Sequence, residues 1–176
     1  MDRIAKFEKV SFNQFENDVL KNESVLKYTD KSIKEIYDTI ELPVRATKGS
    51  AGYDFKCPFD GIFVNHIQGI IIPTGIRVKI EDGWSLSICP RSGLGFKYGI
   101  ELVNTIGIID SDYYYSDNEG HIMVKLTRKF NDGAPMIMSG DSFAQGIFYR
   151  YGITIDDEVS NIRNGGFGST TNKKWV

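Results

Sequence analysis

Apolar and polar residues alternate along Ile4-Ala5-Lys6-Phe7-Glu8-Lys9-Val10, which predicts a first strand. Ser11 then stands where a helix N-cap belongs, with Gln14 three positions on as its capping-box partner and Phe12, Phe15, Val19 and Leu20 as the apolar stripe. A second helix is expected to start near Thr29 or Asp30, with Ile33, Ile36, Tyr37 and Ile40 at the spacing of one buried face. Both read as packing helices. From Leu42 the spacing changes to short β-type runs separated by Gly and Pro: Gly61 to His66, Gly69 to Ile72, Gly75 to Ile80, Trp84 to Cys89, His121 to Thr127 and Asp141 to Tyr151. Many short strands without long helices between them predict an antiparallel all-β sandwich or barrel rather than a parallel βαβ fold. The expected architecture is a jelly-roll-like domain with an N-terminal helical addition.

Composition sharpens this division. All 18 glycines of the 176 residues lie between Gly49 and Gly168, and the first 41 residues hold neither Gly nor Pro. The pattern divides the chain into residues 1–41 as a strand plus helical addition, 42–160 as the β domain and 161–176 as a glycine-rich arm. A hydrophobic share of 41% allows a sizeable core, and a net charge of −2 argues against binding nucleic acid by bulk attraction. No stretch has the apolar length of a membrane span, and Met1 to Lys9 is too charged for the core of a signal peptide, so a cytoplasmic protein without membrane partners is expected. Cys57 and Cys89 form no CxxC pair and are expected to stay reduced; His66 and His121 stand apart from them, which makes a zinc site improbable.

Several segments combine a backbone free to approach a ligand with polar side chains. Pro90-Arg91-Ser92-Gly93-Leu94-Gly95 offers a guanidinium, a hydroxyl and amide groups suited to phosphate oxygens, although such a turn can also simply reverse the chain. Ser50-Ala51-Gly52-Tyr53-Asp54 is similar in kind, and Arg163-Asn164-Gly165-Gly166-Phe167-Gly168-Ser169-Thr170 has too many glycines for a packed element. Ile106-Gly107-Ile108-Ile109-Asp110 ends an apolar run on a carboxylate, placed either to cap a turn or to act as a general base for water. If the strand continues, Asp112 shares its face, and two such carboxylates need a cation or a proton between them. No GxxxxGK[ST] sequence exists, which excludes P-loop chemistry.

In this order the segments Ala51-Gly52-Tyr53-Asp54-Phe55, Pro90 to Gly95, Gly107 to Tyr113, Gly140-Asp141-Ser142-Phe143-Ala144-Gln145 and Gly165 to Thr170 resemble the five signature motifs of the trimeric deoxyuridine triphosphatases, over roughly residues 42 to 171. The resemblance implies a jelly-roll-like (β-clip type) fold, a homotrimer with shared active sites, and Mg²⁺-dependent hydrolysis of dUTP to dUMP and pyrophosphate. It also implies roles. Asp110 would activate the water attacking the α-phosphorus, with Gln145 near the phosphate chain; Arg91, Ser92 and Gly93 would bind phosphate; Asp54 would help hold hydrated Mg²⁺ through water. Asn104 would read uracil beside a hairpin backbone from Ile106 through Ile108 and Ile109, Tyr113 would pack under the deoxyribose, and Met123 would touch the nucleotide from the next strand unless it is core. The arm would act as a lid: Phe167 stacks on uracil, Arg163 meets the γ-phosphate, and Ser169 and Thr170 wrap the triphosphate.

Two departures stand out. Tyr114-Tyr115-Ser116-Asp117-Asn118-Glu119 intervenes before Gly120 where the family turns sooner, and Arg163 precedes Phe167 by four residues, one fewer than the commonest spacing. Two other functions compete with hydrolysis of dUTP. A dCTP deaminase relative is disfavoured by Asp110-Ser111-Asp112-Tyr113, where those enzymes have Pro-Gly after the aspartate. A regulatory nucleotide-binding module without turnover is disfavoured by the presence of Asp54, Asp110, Gln145, Arg163 and Phe167.

Overall fold

The computed structural model describes residues 2–64, 68–129, 136–161 and 163. The chain begins with strand β1 (Ala5–Lys9), helix α1 (Phe12–Leu20), a 3₁₀ turn (Glu23–Leu26) and helix α2 (Ile33–Thr39). It continues through β2 (Val44–Arg45), β3 (Tyr53–Lys56), β4 (Ile70–Pro73), β5 (Ile76–Ile80), β6 (Trp84–Pro90), helix α3 (Ser92–Tyr98), β7 (Ile100–Leu102) and β8 (Gly107–Ile109). A second 3₁₀ turn (Ser111–Tyr115), β9 (Met123–Arg128) and β10 (Ser142–Arg150) complete the elements among the described residues. Among the described residues all pairings are antiparallel, in a five-stranded sheet β2-β3-β10-β6-β8, a three-stranded sheet β4-β9-β7 and the pair β1-β5. The expected all-β architecture is the observed one.

The six runs that became strands match β1, β4, β5, β6, β9 and β10 to within a residue or two at each end. Gly61 to His66 departs from expectation: its described part carries the isolated bridge Ile62–Ile137, and His66 lies outside the described residues. Strands β2, β3, β7 and β8 are two to four residues long; β8 is the apolar run that ends on Asp110, while β2, β3 and β7 were not among the expected runs. Too few residues are present in each for alternation to register.

Helix α1 starts where expected, with the Ser11 hydroxyl accepting the Gln14 N–H. Gln14 does not return the contact; its amide donates to Asp18, and the reciprocal partner of Ser11 is Glu119, far along the chain. The second helix begins at Ser32 rather than Thr29 or Asp30, because Ser32 and Glu35 close a full capping box while the Thr29 hydroxyl accepts the N–H of Lys31 in the preceding turn. One core joins all layers: Phe15, Val19 and Ile36 of the helices pack in the same cluster as Phe55, Ile72, Val78, Leu86, Ile100, Val124 and Phe143. The addition therefore shares its core with the β domain. Burying side chains of this size contributes about 1.5–3 kcal/mol each.

Cys57 is a free thiol in this core, where burial pushes its pKa up to about 12 and makes it a poor nucleophile; Cys89 is free and half-buried. His121 is fully buried.

Candidate active site

Strand β10 lies between β3 and β6, and its register sets Gln145 directly opposite Asp54 on one side and Cys89 on the other. Residues directly opposite each other share a face of the sheet, so three neighbouring strands present Asp54, Gln145 and Cys89 in one row. Just beyond β6, Arg91 reaches back over this row and its Nη1 donates to Asp54 Oδ1 at 2.6 Å. Asp54 is buried, and the paired guanidinium offsets the cost of desolvating its carboxylate. Gln145 Nε2 donates to the Pro90 carbonyl at 3.3 Å. Its Oε1 occupies space that a side chain at position 52 would fill: a Cβ on Gly52 would stand 2.6 Å from that oxygen. The first-motif glycine thus leaves room for the glutamine amide.

The expected phosphate turn is more than a turn. Ser92 opens α3, and both Ser92 and Gly93 are exposed in its first turn, where backbone N–H groups have no carbonyl four residues back. The helix forms in spite of two glycines because Leu94 and Tyr98 pack against the core and Gly99 ends it in the left-handed conformation at φ +62°.

A cavity of about 330 Å³ opens at the other edge of the five-stranded sheet, between β8 and the facing strands β7 and β9. It exists because β7 and β8, consecutive in the chain, join different sheets: β7 pairs with β9 in one and β8 with β6 in another. Between them the chain turns at Thr105, whose φ is +66°. The parted strands leave a slot large enough for a nucleobase and lined mostly by apolar atoms. Asn104, Ile108, Ile109, Tyr113 and Met123 all line it. Ile106 is exposed and lies outside the lining. Lys125 also lines the cavity and was missed; its signal was the alternation of β9, which puts it on the same face as Met123.

Asp110 follows β8 as the N-cap of the second 3₁₀ turn, so the strand does not continue to Asp112. Both carboxylates nevertheless face one cation. Arg163 Nε donates to Asp112 Oδ1 at 2.9 Å, and its Nη2 pairs with Asp110 Oδ2. Among the described residues none bonds the other oxygen of Asp110, Oδ1. Arg163 lines the cavity as well, which brings the paired carboxylates to its mouth. Tyr113 is buried at the cavity wall; its hydroxyl donates to the His121 carbonyl at 2.9 Å and accepts from Asn118 Nδ2 at 2.8 Å. Burial pushes its phenol pKa up, which keeps it a neutral donor. Phe167, Ser169 and Thr170 lie outside the described residues.

The dUTPase family matches residues 38–171 of this chain. The deoxyuridine 5'-triphosphate nucleotidohydrolase of Lactococcus lactis subsp. lactis is 38% identical over 135 residues, covering 74% of this chain and 88% of that protein. The protein of the same name from Haemophilus ducreyi is 39% identical over 153 residues, covering 82% of this chain and 97% of its own length. Among solved structures, the dUTPase from Streptococcus mutans aligns with a TM-score of 0.58 at 30% identity, over 86% of this chain and 98% of its own. With the motif order, the antiparallel fold and the paired cavity and cation cluster already described, these matches establish that the chain belongs to the dUTPase family.

Proposed function

We propose that this chain hydrolyses dUTP to dUMP and pyrophosphate, limiting uracil incorporation into DNA and supplying dUMP in the cytoplasm. The observation that carries the reading is the meeting of a base-sized apolar cavity with a guanidinium that lines it and pairs with the Asp110 carboxylate. Uracil enters between β7 and β8, where the Asn104 amide and the β8 backbone pair with O4 and N3–H. Cytosine reverses that donor and acceptor, and each buried group left unpaired costs about 1–3 kcal/mol. Tyr113 lies under the deoxyribose and leaves no space for a 2'-hydroxyl. Ile106 contributes at most its backbone, given its exposed side chain.

Arg91, Ser92 and Gly93 hold phosphate oxygens. Asp110 accepts a proton from water as the water oxygen attacks the α-phosphorus, the bond from that phosphorus to the α,β-bridging oxygen breaks, and pyrophosphate leaves. Gln145 orients the water and the phosphate chain. Arg163 is already at the catalytic carboxylate through the arm, and it moves toward the triphosphate as Phe167 stacks on uracil and Ser169 and Thr170 wrap the chain. Closing such an arm removes water and strengthens every charge interaction inside.

Among the described residues no group of three His, Cys, Asp or Glu side chains could form a metal cage. This donor set fits Mg²⁺ held chiefly by triphosphate oxygens and water, with Asp54 as the protein carboxylate behind a water. Mg²⁺ would supply neutralisation of the triphosphate charge. A homotrimer with shared sites is part of the reading: residues 151–161 are exposed throughout, with Ile153, Ile155 and Val159 bare, which suits a segment that packs on another subunit. No helix among the described residues is long and apolar enough to cross a membrane.

The test is a substrate panel. With Mg²⁺ and dUTP, dCTP, dTTP or UTP, pyrophosphate release is expected from dUTP alone at appreciable rate. Equal turnover of dUTP and UTP would remove the role given to Tyr113, and ammonia release from dCTP, measured alongside, would favour the deaminase-like alternative.

A further inference from the structure

The Tyr114-to-Glu119 insertion and the N-terminal addition have no role in the reading above, yet they are joined. Glu119 holds a left-handed backbone, φ +56°, uncommon for a residue with a side chain. This conformation aims its carboxylate at the start of α1, where it accepts the Ser11 N–H at 2.7 Å and the Ser11 hydroxyl at 2.6 Å. Ser11 in turn accepts from Gln14 N–H at 3.1 Å. A capping box normally closed within one helical turn is closed here across 108 residues.

The residues on either side of Glu119 hold Tyr113. Asn118 donates to the Tyr113 hydroxyl, and its own Oδ1 accepts the Gly120 N–H at 3.3 Å. Gly120 has φ +69°, and a Cβ there would stand 2.8 Å from the Tyr113 carbonyl oxygen, so the loop folds tightly against the tyrosine's own backbone. His121 gives its carbonyl to the Tyr113 hydroxyl. Its ring Nε2 accepts the Gly75 N–H at 2.8 Å, which leaves Nδ1 to donate to Asp18 of α1 at 2.7 Å. At the other end of the insertion, the Tyr114 hydroxyl donates to Glu8 of β1 at 2.6 Å, with the Arg77 guanidinium 4.5 Å above its ring. Neither Ser11, Asn118 nor Glu119 lines the cavity.

We propose that Glu119 and Asn118 are positioning residues that make the N-terminal addition part of sugar selection: α1 fixes the insertion through Ser11 and Asp18, and the insertion fixes the Tyr113 ring beneath the sugar. This rests on the reading of Tyr113 as the wall that excludes a 2'-hydroxyl. An aromatic ring anchored only at its Cβ could tilt to admit one more oxygen; a ring whose hydroxyl is held by a donor and an acceptor cannot tilt without breaking both bonds.

The experiment compares kcat and KM for dUTP and UTP, together with Tm, in the full chain and in Asn118→Ala, Glu119→Ala, Glu119→Gln and Tyr113→Ala. Asn118→Ala and Glu119→Ala are expected to raise UTP use relative to dUTP about tenfold in kcat/KM, with kcat on dUTP within about twofold of the parent. Glu119→Gln, whose amide still pairs with Ser11, should restore the parental ratio. Asn118→Ala leaves the cap of α1 intact and reads the same step even if Glu119→Ala does not fold. A fall in Tm with both substrates affected in parallel and the ratio unmoved would overturn the proposal as a purely structural contact. If Tyr113→Ala itself leaves the ratio unchanged, the sugar-wall reading fails and the latch falls with it; a changed ratio there with unchanged Asn118→Ala and Glu119→Ala overturns the latch alone.

Discussion

Replacing Asp110 by Asn is expected to lower dUTP turnover by roughly 10²- to 10⁴-fold, the usual worth of a positioned general base. The substitution keeps the size of the side chain and its bond to Arg163, since an amide oxygen still accepts from a guanidinium. What it removes is the capacity of Oδ1, which no described residue occupies, to take a proton from water. The nucleotide should bind with little change, because cavity, phosphate cradle and arm are untouched. Binding measured by isothermal titration with dUTP, alongside pyrophosphate release, separates the two effects. An unimpaired rate would refute the role of Asp110.

Arg163→Ala is the second large effect. In the structure one guanidinium serves two carboxylates, bonding Asp112 through Nε and Asp110 through Nη2. Its loss removes the cation from the mouth of the cavity and the charge that the arm would bring to the triphosphate. Removing one preorganised donor of this kind costs roughly 10²–10³-fold in kcat. Arg163→Lys should recover only part of it, because an ammonium is a point charge and lacks the planar fork that engages two partners at once. Steady-state kinetics of both variants check this. A rate within twofold of the parent in Arg163→Ala would show the pair with Asp110 to be incidental.

The outline of this fold was legible because its long elements carry strong patterns. Helix α1 announced itself by Ser11 and the stripe through Phe15 and Val19, and β10 by a run long enough to alternate. Of the short elements at the site only β8 was legible, as the apolar run before Asp110. Strands β7 and β8 have three residues each, and the slot between them comes from their joining different sheets, a property of β6 and β9 rather than of their own sequence. Helix α3 contains two glycines that argue against a helix, and tertiary packing of Leu94 and Tyr98 overrides them.

For the site, the motifs marked Asp54, Arg91, Asp110, Gln145 and Arg163, but not how they pair. The expectation that Asp110 and Asp112 need a cation or a proton between them followed from charge alone; that a cation, Arg163, fills the place required the fold to bring residues about fifty positions apart together. The same limit hid the links from Glu119 to Ser11 and from His121 to Asp18. Local spacing carries no information about partners that meet only when distant segments pack.

The central claim is that water, activated by Asp110, attacks the α-phosphorus of dUTP. Its most direct test is a single-turnover reaction in ¹⁸O-water with Mg²⁺ and dUTP, followed by mass analysis of both products. The label is predicted in dUMP, with unlabelled pyrophosphate. Label in pyrophosphate, or release of dUDP and inorganic phosphate, would contradict the account.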